Sequence, residues 1–167
     1  MGKVILICGK IGSGKTTYAR ALAERTKAVN ISQDELMLGL FGAELYQTEP
    51  EVYTHYCAKV EAYVLRKAGE AARAGAVVIC ENGFWGRAER DGLRALYAGM
   101  GVSCELHFID TPEIQRLRNI EGRNAEISRG KAHFYLTDSR DIDHFFEAPT
   151  AEEIDVRVAW RGDETPA

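Results

Sequence analysis

Short apolar runs alternate with longer amphipathic stretches along this chain. Lys3–Cys8 (KVILIC) is apolar at consecutive positions and stops at Gly9, as expected of a strand buried on both faces. KTTYARALAERT, from Lys15 to about Thr26, combines helical period with strong helix formers. Ala28–Ile31 reads as a second strand, and Asp34–Phe41 as a short helix stopped by Gly42. A long helix is expected between Pro50 and Gly75, the usual asymmetry of start and stop residues. Val52, Tyr56, Val60, Tyr63 and Val64 share one of its faces, a stripe read as core rather than as a substrate platform.

Ala76–Cys80 is a third strand, Arg87–Tyr97 a helix ended by Gly99 and Gly101, and Cys104–Ile109 a fourth strand. Thr111-Pro112 signals the start of a helix over EIQRLRNIEGR. A polar stretch, Asn124–His133, precedes an expected helix over Thr137–Phe146; EIDVRVAW supplies a fifth strand and RGDETPA a frayed tail. Strands that alternate with helices imply an α/β fold with a mostly parallel sheet. The expectation is one domain over residues 1–160, with 161–167 as tail.

Composition narrows the class modestly. A net charge of −4 over 167 residues gives no global attraction to nucleic acid or to an anionic membrane. The apolar runs are too short to span a bilayer, and the start Met1-Gly2-Lys3 leads into a strand rather than a signal peptide. Cys8, Cys57, Cys80 and Cys104 have no metal-ligand spacing, and Cys8 and Cys80 read as buried apolar residues. A reduced, cytoplasmic compartment is the expectation. Nothing in the pattern indicates an oligomeric state.

The chemistry starts at GKIGSGKTT. Gly9, Gly14, Lys15 and Thr16 fulfil G-x-x-x-x-G-K-[ST] between a strand and a helix. Glycines let the backbone curl so that the N–H groups of Gly9, Lys10, Ile11, Gly12, Ser13, Gly14, Lys15, Thr16 and Thr17 can face phosphate oxygens. The helix beginning near Lys15 adds its positive end. Lys15 is expected to reach the β- and γ-phosphates of ATP, and the Thr16 hydroxyl to ligate Mg²⁺.

Asp34 follows the second strand at the carboxyl edge of the sheet, where ligands of α/β folds collect. It is read as a base for an attacking hydroxyl, with helix capping, shared with Ser32, as the alternative. Glu81, the first polar residue after the third strand, stands where an acid serves the Mg²⁺ shell, directly or through water. Asn82-Gly83 is a turn dipeptide. Arg87 and Arg90 lie on one face at a helix start, against the dipole. Their partner is either a substrate anion or Glu89 or Glu81.

Between Arg116 and Arg140 stand six basic and three acidic residues, a reversal of the overall charge. With Gly122 and Gly130 as bending points, about 116–140 reads as a small helical lid. Arg118 and Arg123 are assigned to the transferring phosphoryl group, Arg116 and Arg129 to a solvated face.

LICGKIGSGKTTYARALAE, ISQDEL, VVICENGFWGRAERDGLRAL, LHFIDTPEIQRLRNIEGRN and FFEAPTAEEID, in this order, give a resemblance over nearly the whole chain. The chain resembles the small P-loop kinases of the AAA/zeta-toxin-like group, related to chloramphenicol phosphotransferases and polynucleotide 5′-kinase domains. The resemblance implies a three-layer α/β/α P-loop NTPase fold with a mostly parallel five-stranded sheet, like that of nucleoside monophosphate kinases. It implies ATP as donor, a hydroxyl acceptor, Asp34 as base, Arg118 and Arg123 on the lid, and Phe84 and Trp85 beside the acceptor. Two positions depart from the pattern: Glu81 replaces an aspartate, and Met37 stands where many relatives carry an arginine.

The expected function is therefore transfer of the ATP γ-phosphate to a small hydroxyl-bearing acceptor. A nucleoside, nucleotide or polynucleotide 5′-hydroxyl kinase is the enzymatic alternative, disfavoured by the lack of a basic groove. An ATP-binding switch acting on a protein partner is the non-enzymatic one.

Overall fold

β1 (Lys3–Cys8) is the central strand of a five-stranded sheet, and its neighbours on both sides run parallel to it. The computed structural model describes residues 2–42, 44, 45, 48–128 and 143–159, and no side chain of 127 or 128. The remaining elements are α1 (Lys15–Thr26), β2 (Val29–Ser32), α2 (Gln33–Phe41), α3 (Pro50–Arg73), β3 (Val77–Gly83), α4 (Arg87–Gly99), β4 (Ser103–Asp110), α5 (Glu113–Ser128) and β5 (Val156–Ala159). A single 3-10 turn, Asp143–Phe145, precedes β5.

The strand order is β2-β3-β1-β4-β5, all pairs parallel. The chain therefore changes direction of travel at β1, and the crevice outside its carboxyl end is the natural ligand position. Both faces of β1 are covered, which is why it reads as one apolar run. Val4, Leu6 and Cys8 face the layer of α3 and α4, with Leu65, Ala68, Leu93 and Tyr97. Ile5 and Ile7 face α1, with Tyr18, Ala19 and Leu22. These layers bear out the expected three-layer α/β/α architecture.

Several boundaries differ from expectation. α3 is helical throughout, but the apolar stripe of its first half is not core: Val52, Tyr56 and Tyr63 are exposed, Tyr63 by 58%. Length explains this. The 24 residues of α3 rise about 36 Å, while the eight of β4 extend only about 26 Å. Only Val64, Leu65, Ala68, Gly69 and Ala72 lie buried against the sheet; the first turns overrun its carboxyl edge and meet α2, where the tilted rings of Phe41 and Tyr56 lie 4.9 Å apart. α5 runs unbroken through Gly122, so that glycine is no hinge. Gly130, Arg129, Lys131 and Arg140, with the rest of the expected lid from 129 to 140, lie outside the described residues. So do most of the helix expected over Thr137–Phe146 and the tail 161–167.

β3 also continues past Glu81 to Gly83 rather than turning at Asn82-Gly83. The turn comes one step later, with Gly83 at φ 93° and Phe84 at φ 49°. Left-handed backbone is costly for a bulky residue and persists only where its surroundings enforce it. Here Phe84 is buried in the core, and its carbonyl accepts from Arg90 Nη1 at 3.1 Å and from Cys8 Sγ at 3.4 Å.

Arg90 does not present itself to a substrate. It is 1% exposed, pairs with Glu153 at 2.8 Å, and also donates to the carbonyls of Trp85 (3.2 Å) and Glu147 (3.0 Å). It is the internal clamp of the turn after β3, because a buried charge must be paired and every donor used. The Arg90 hydrogen bond is the main reason the Glu153 carboxyl falls from 4.5 to about 2. A depressed carboxylate contributes stability that is fully present above its unfolded pKa and is lost as pH falls through the folded one. Arg90→Ala is expected to cost about 3–5 kcal/mol in urea denaturation at pH 7. Wild type should also lose stability between about pH 4.5 and pH 2 more steeply than Glu153→Gln. Equal acid slopes would remove the pair from the stability of the fold.

Candidate active site

The loop Gly9–Gly14 leaves β1 at the centre of the carboxyl edge and delivers the chain into α1. Gly12 (φ 73°) and Gly14 (φ 93°) adopt conformations that favour glycine. A Cβ on Gly12 would also lie 2.5 Å from the Arg116 carbonyl of α5, so that position excludes any side chain.

The carbonyls of this loop are taken one by one. Lys15 Nζ donates to Gly9 O and Lys10 O, both at 2.9 Å. Arg116 Nη1 donates to Ile11 O at 3.1 Å, Asn119 Nδ2 to Gly12 O at 2.7 Å, and Thr111 Oγ1 to Ser13 O at 2.8 Å. Five successive carbonyls are engaged by side chains, and the Ser13 amide donates back to Lys10 O at 3.2 Å, so the other loop amides and those at the start of α1 are the groups suited to an anion. Thr111, Arg116 and Asn119 come from the β4–α5 segment and were not expected at the loop. Arg116 in particular is no solvated-face residue: it is 4% exposed and pairs with Asp143 at 2.5 Å.

Lys15, Asp34, Glu81 and Arg123 converge around the loop. Burial lowers the Lys15 ammonium from its ordinary value, while Glu81 and Asp34 pull it back up. Burial raises the Asp34 carboxyl, opposed by Lys15 and Arg123. Glu81 is 8% exposed and is likewise raised by burial, opposed by its hydrogen bond from Thr16 and by Lys15. Each group thus lies within electrostatic reach of Lys15.

Asp34 does not cap α2. Ser32 does, accepting from the Glu35 amide at 3.4 Å, and Asp34 sits in the first turn with solvent access. Met37, in contrast, is 1% exposed and part of the core.

Thr16 Oγ1 donates to Glu81 Oε1, and Glu81 Oε2 is buried with no hydrogen-bond partner. An orphaned carboxylate oxygen beside a threonine hydroxyl fits a Mg²⁺ shell completed by phosphate oxygens and water. Among the described residues no group of three His, Cys, Asp or Glu side chains is arranged to hold a metal.

The remaining expected residues divide. Arg118 is exposed on α5, whereas Arg123 is half-buried and acts on Lys15 and Asp34. Phe84 is 1% exposed and lies in the core. Trp85 is half-buried beside it, edge-on to Phe146 at 5.9 Å. Arg87 is exposed at the start of α4 and faces Asp91 at 3.5 Å. Asn82 donates to Glu61 at 3.1 Å, and the carboxyl of the exposed Glu89 is raised first by desolvation and then by Glu61. This flank of the crevice is therefore rich in carboxylates.

Fold and loop together define a P-loop nucleotide-binding protein of the small kinase architecture. The chain belongs to the AAA domain family (AAA_33), whose model matches residues 4–138. No match was found among curated proteins. Among solved structures it is similar to the APS kinase CysC of Mycobacterium tuberculosis, a complex with AMPPNP and APS: 20% identity, 98% of this chain and 90% of that one, TM-score 0.61. It is also similar to a gluconokinase of Sinorhizobium meliloti, at 20% identity over 95% of this chain and 81% of that one, TM-score 0.59. A chain of the Pnkp1/Rnl/Hen1 RNA repair complex matches at 22% identity over 73% of this chain and 37% of that one, TM-score 0.57. These likenesses bear out the resemblance to small P-loop kinases and the fold. Among the described residues no helix is long and apolar enough to cross a membrane.

Gly12→Ala tests the loop packing. The added methyl meets α5 backbone and strains a left-handed residue, so affinity for Mg·ATP should fall at least tenfold by calorimetry, equivalent to about 1.4 kcal/mol. Unchanged affinity would mean that the loop and α5 are not in register as described.

Proposed function

We propose that this protein is an ATP-dependent phosphotransferase that moves the γ-phosphate to a hydroxyl of a small-molecule acceptor. The observation that carries this reading is the convergence of Lys15, Asp34, Glu81 and Arg123 at the mouth of one phosphate loop. A switch that only binds ATP has no use for a carboxylate beside the γ-phosphate position. A phosphotransferase does, because the acceptor hydroxyl must lose its proton during attack.

In this reading the loop amides and the α1 N-terminus hold the triphosphate. Lys15 and Arg123 neutralise the equatorial oxygens of the transferring group. Asp34 orients the acceptor hydroxyl and accepts its proton. Thr16 and Glu81 would hold Mg²⁺, which supplies charge neutralisation between the β- and γ-phosphates. Arg87 and Trp85 remain candidates for acceptor contact at the outer edge. Asp34, Glu61, Glu81 and Glu89 on that flank disfavour a polyanionic strand, so a small acceptor is preferred to a polynucleotide end.

Incubation of the protein with Mg·ATP and a metabolite extract, read by mass spectrometry, should reveal a species heavier by one phosphoryl group. Lys15→Ala should abolish ATP binding and product. Asp34→Asn should retain ATP binding and lose about 10²–10⁴-fold in transfer rate. Because Asp34 is raised above the ordinary 3.8 and works deprotonated, the acid limb of the rate profile should lie above that value and vanish in Asp34→Asn. Full turnover in Asp34→Asn would remove the base. Absence of ATP binding in wild type would overturn the whole reading.

A further inference from the structure

We infer that Arg116 and Asp143 are positioning residues that set the phosphate affinity of the loop from behind. The inference rests on the nucleotide-binding reading above and adds to it a control point outside the loop motif. Arg116 is the only guanidinium among the donors to the loop carbonyls described above. One of its nitrogens holds Ile11 O at 3.1 Å, and the same nitrogen reaches Asp143 Oδ1 at 3.3 Å. The other holds Asp143 Oδ2 at 2.5 Å. Asp143 Oδ2 also faces Lys10 Nζ, itself a loop residue, at 3.6 Å.

The loop is thereby tied twice to one carboxylate, through the Lys10 side chain and through Arg116 to the Ile11 carbonyl. A rigid guanidinium fork fixes direction as well as distance, which a flexible ammonium does not. Losing the Arg116 donor frees the Ile11 carbonyl to rotate, and its peptide plane carries the Gly12 amide with it. A misaimed amide weakens phosphate binding in ground state and transition state alike. Asp143 borders an open cavity of about 560 Å³, so a change of charge there leaves the packing of the core alone.

The test is calorimetric titration with Mg·ATP and with magnesium tripolyphosphate, beside thermal denaturation of each ligand-free variant. Arg116→Met should weaken both ligands about tenfold, in keeping with one lost charge-assisted hydrogen bond. Arg116→Lys should recover part of that loss, and Asp143→Asn should weaken both about threefold. Loss of tripolyphosphate together with ATP separates loop positioning from an effect on the base or ribose. If Arg116→Met does not fold, Arg116→Lys and Asp143→Asn decide. Affinities within twofold of wild type in the folded variants would make the pair structural only, whatever their thermal midpoints. Failure of wild type to bind either ligand would instead overturn the nucleotide-binding reading, and this inference with it.

Discussion

A loop that turns its amides inward must turn its carbonyls somewhere else, and the rest of the site depends on where they go. A peptide plane has two ends, and aiming the N–H at an anion aims the C=O at the protein. In this chain the carbonyls of Gly9 to Ser13 meet Lys15, Arg116, Asn119 and Thr111. The β4–α5 connection is therefore the back wall of the phosphate site. Gly12 is needed twice over, for its positive φ and for the close approach of the α5 backbone. Two elements far apart in sequence are thus joined by hydrogen bonds behind the loop.

The opposite side of the crevice is organised by a second buried device. Gly83 and Phe84 turn the chain sharply at the end of β3, which buries Phe84 and leaves Trp85 at the rim. Arg90 gathers the carbonyls of Phe84, Trp85 and Glu147 and anchors them to Glu153. Strain at the turn is thus held by a satisfied charge network rather than by apolar packing alone. In this structure both arginines expected to be peripheral or substrate-facing, Arg90 and Arg116, are internal clamps, one on each side of β1.

The sheet, its parallel sense and most helices were legible because buried strands and amphipathic helices impose periods on the sequence. The phosphate loop was legible because its backbone geometry demands glycines at fixed spacing. What the pattern does not carry is tertiary direction. The long α3 has an apolar stripe whose first half lies beyond the sheet, and nothing in its period says where the sheet ends. From the sequence, Arg118 and Arg123 are assigned to the phosphoryl group and Arg116 to a solvated face. Helical spacing sorts them differently. Arg116, Asn119, Ile120 and Arg123 follow i, i+3, i+4, i+7 and share a face, while Arg118 falls off it. That polar stripe was the available signal for the loop's back wall. Arg90 gave no comparable signal, since its partner Glu153 lies 63 residues away.

The charges at the centre of the crevice constrain one another in a way that bears on chemistry. Burial pushes Asp34 and Glu81 toward protonation and Lys15 toward neutrality, and each is held back by its neighbours. Arg123 acts in opposite directions on its two neighbours: it favours the Asp34 carboxylate and disfavours the Lys15 ammonium. A triphosphate entering among them would bring negative charge next to Lys15, which favours its ammonium form. The same charge would also raise the proton affinity of Asp34, as the proposed role of that carboxylate requires. The carboxylate and the cations are thus tuned by the ligand they would act on, and the phosphate loop, braced from behind, sets how close that ligand comes.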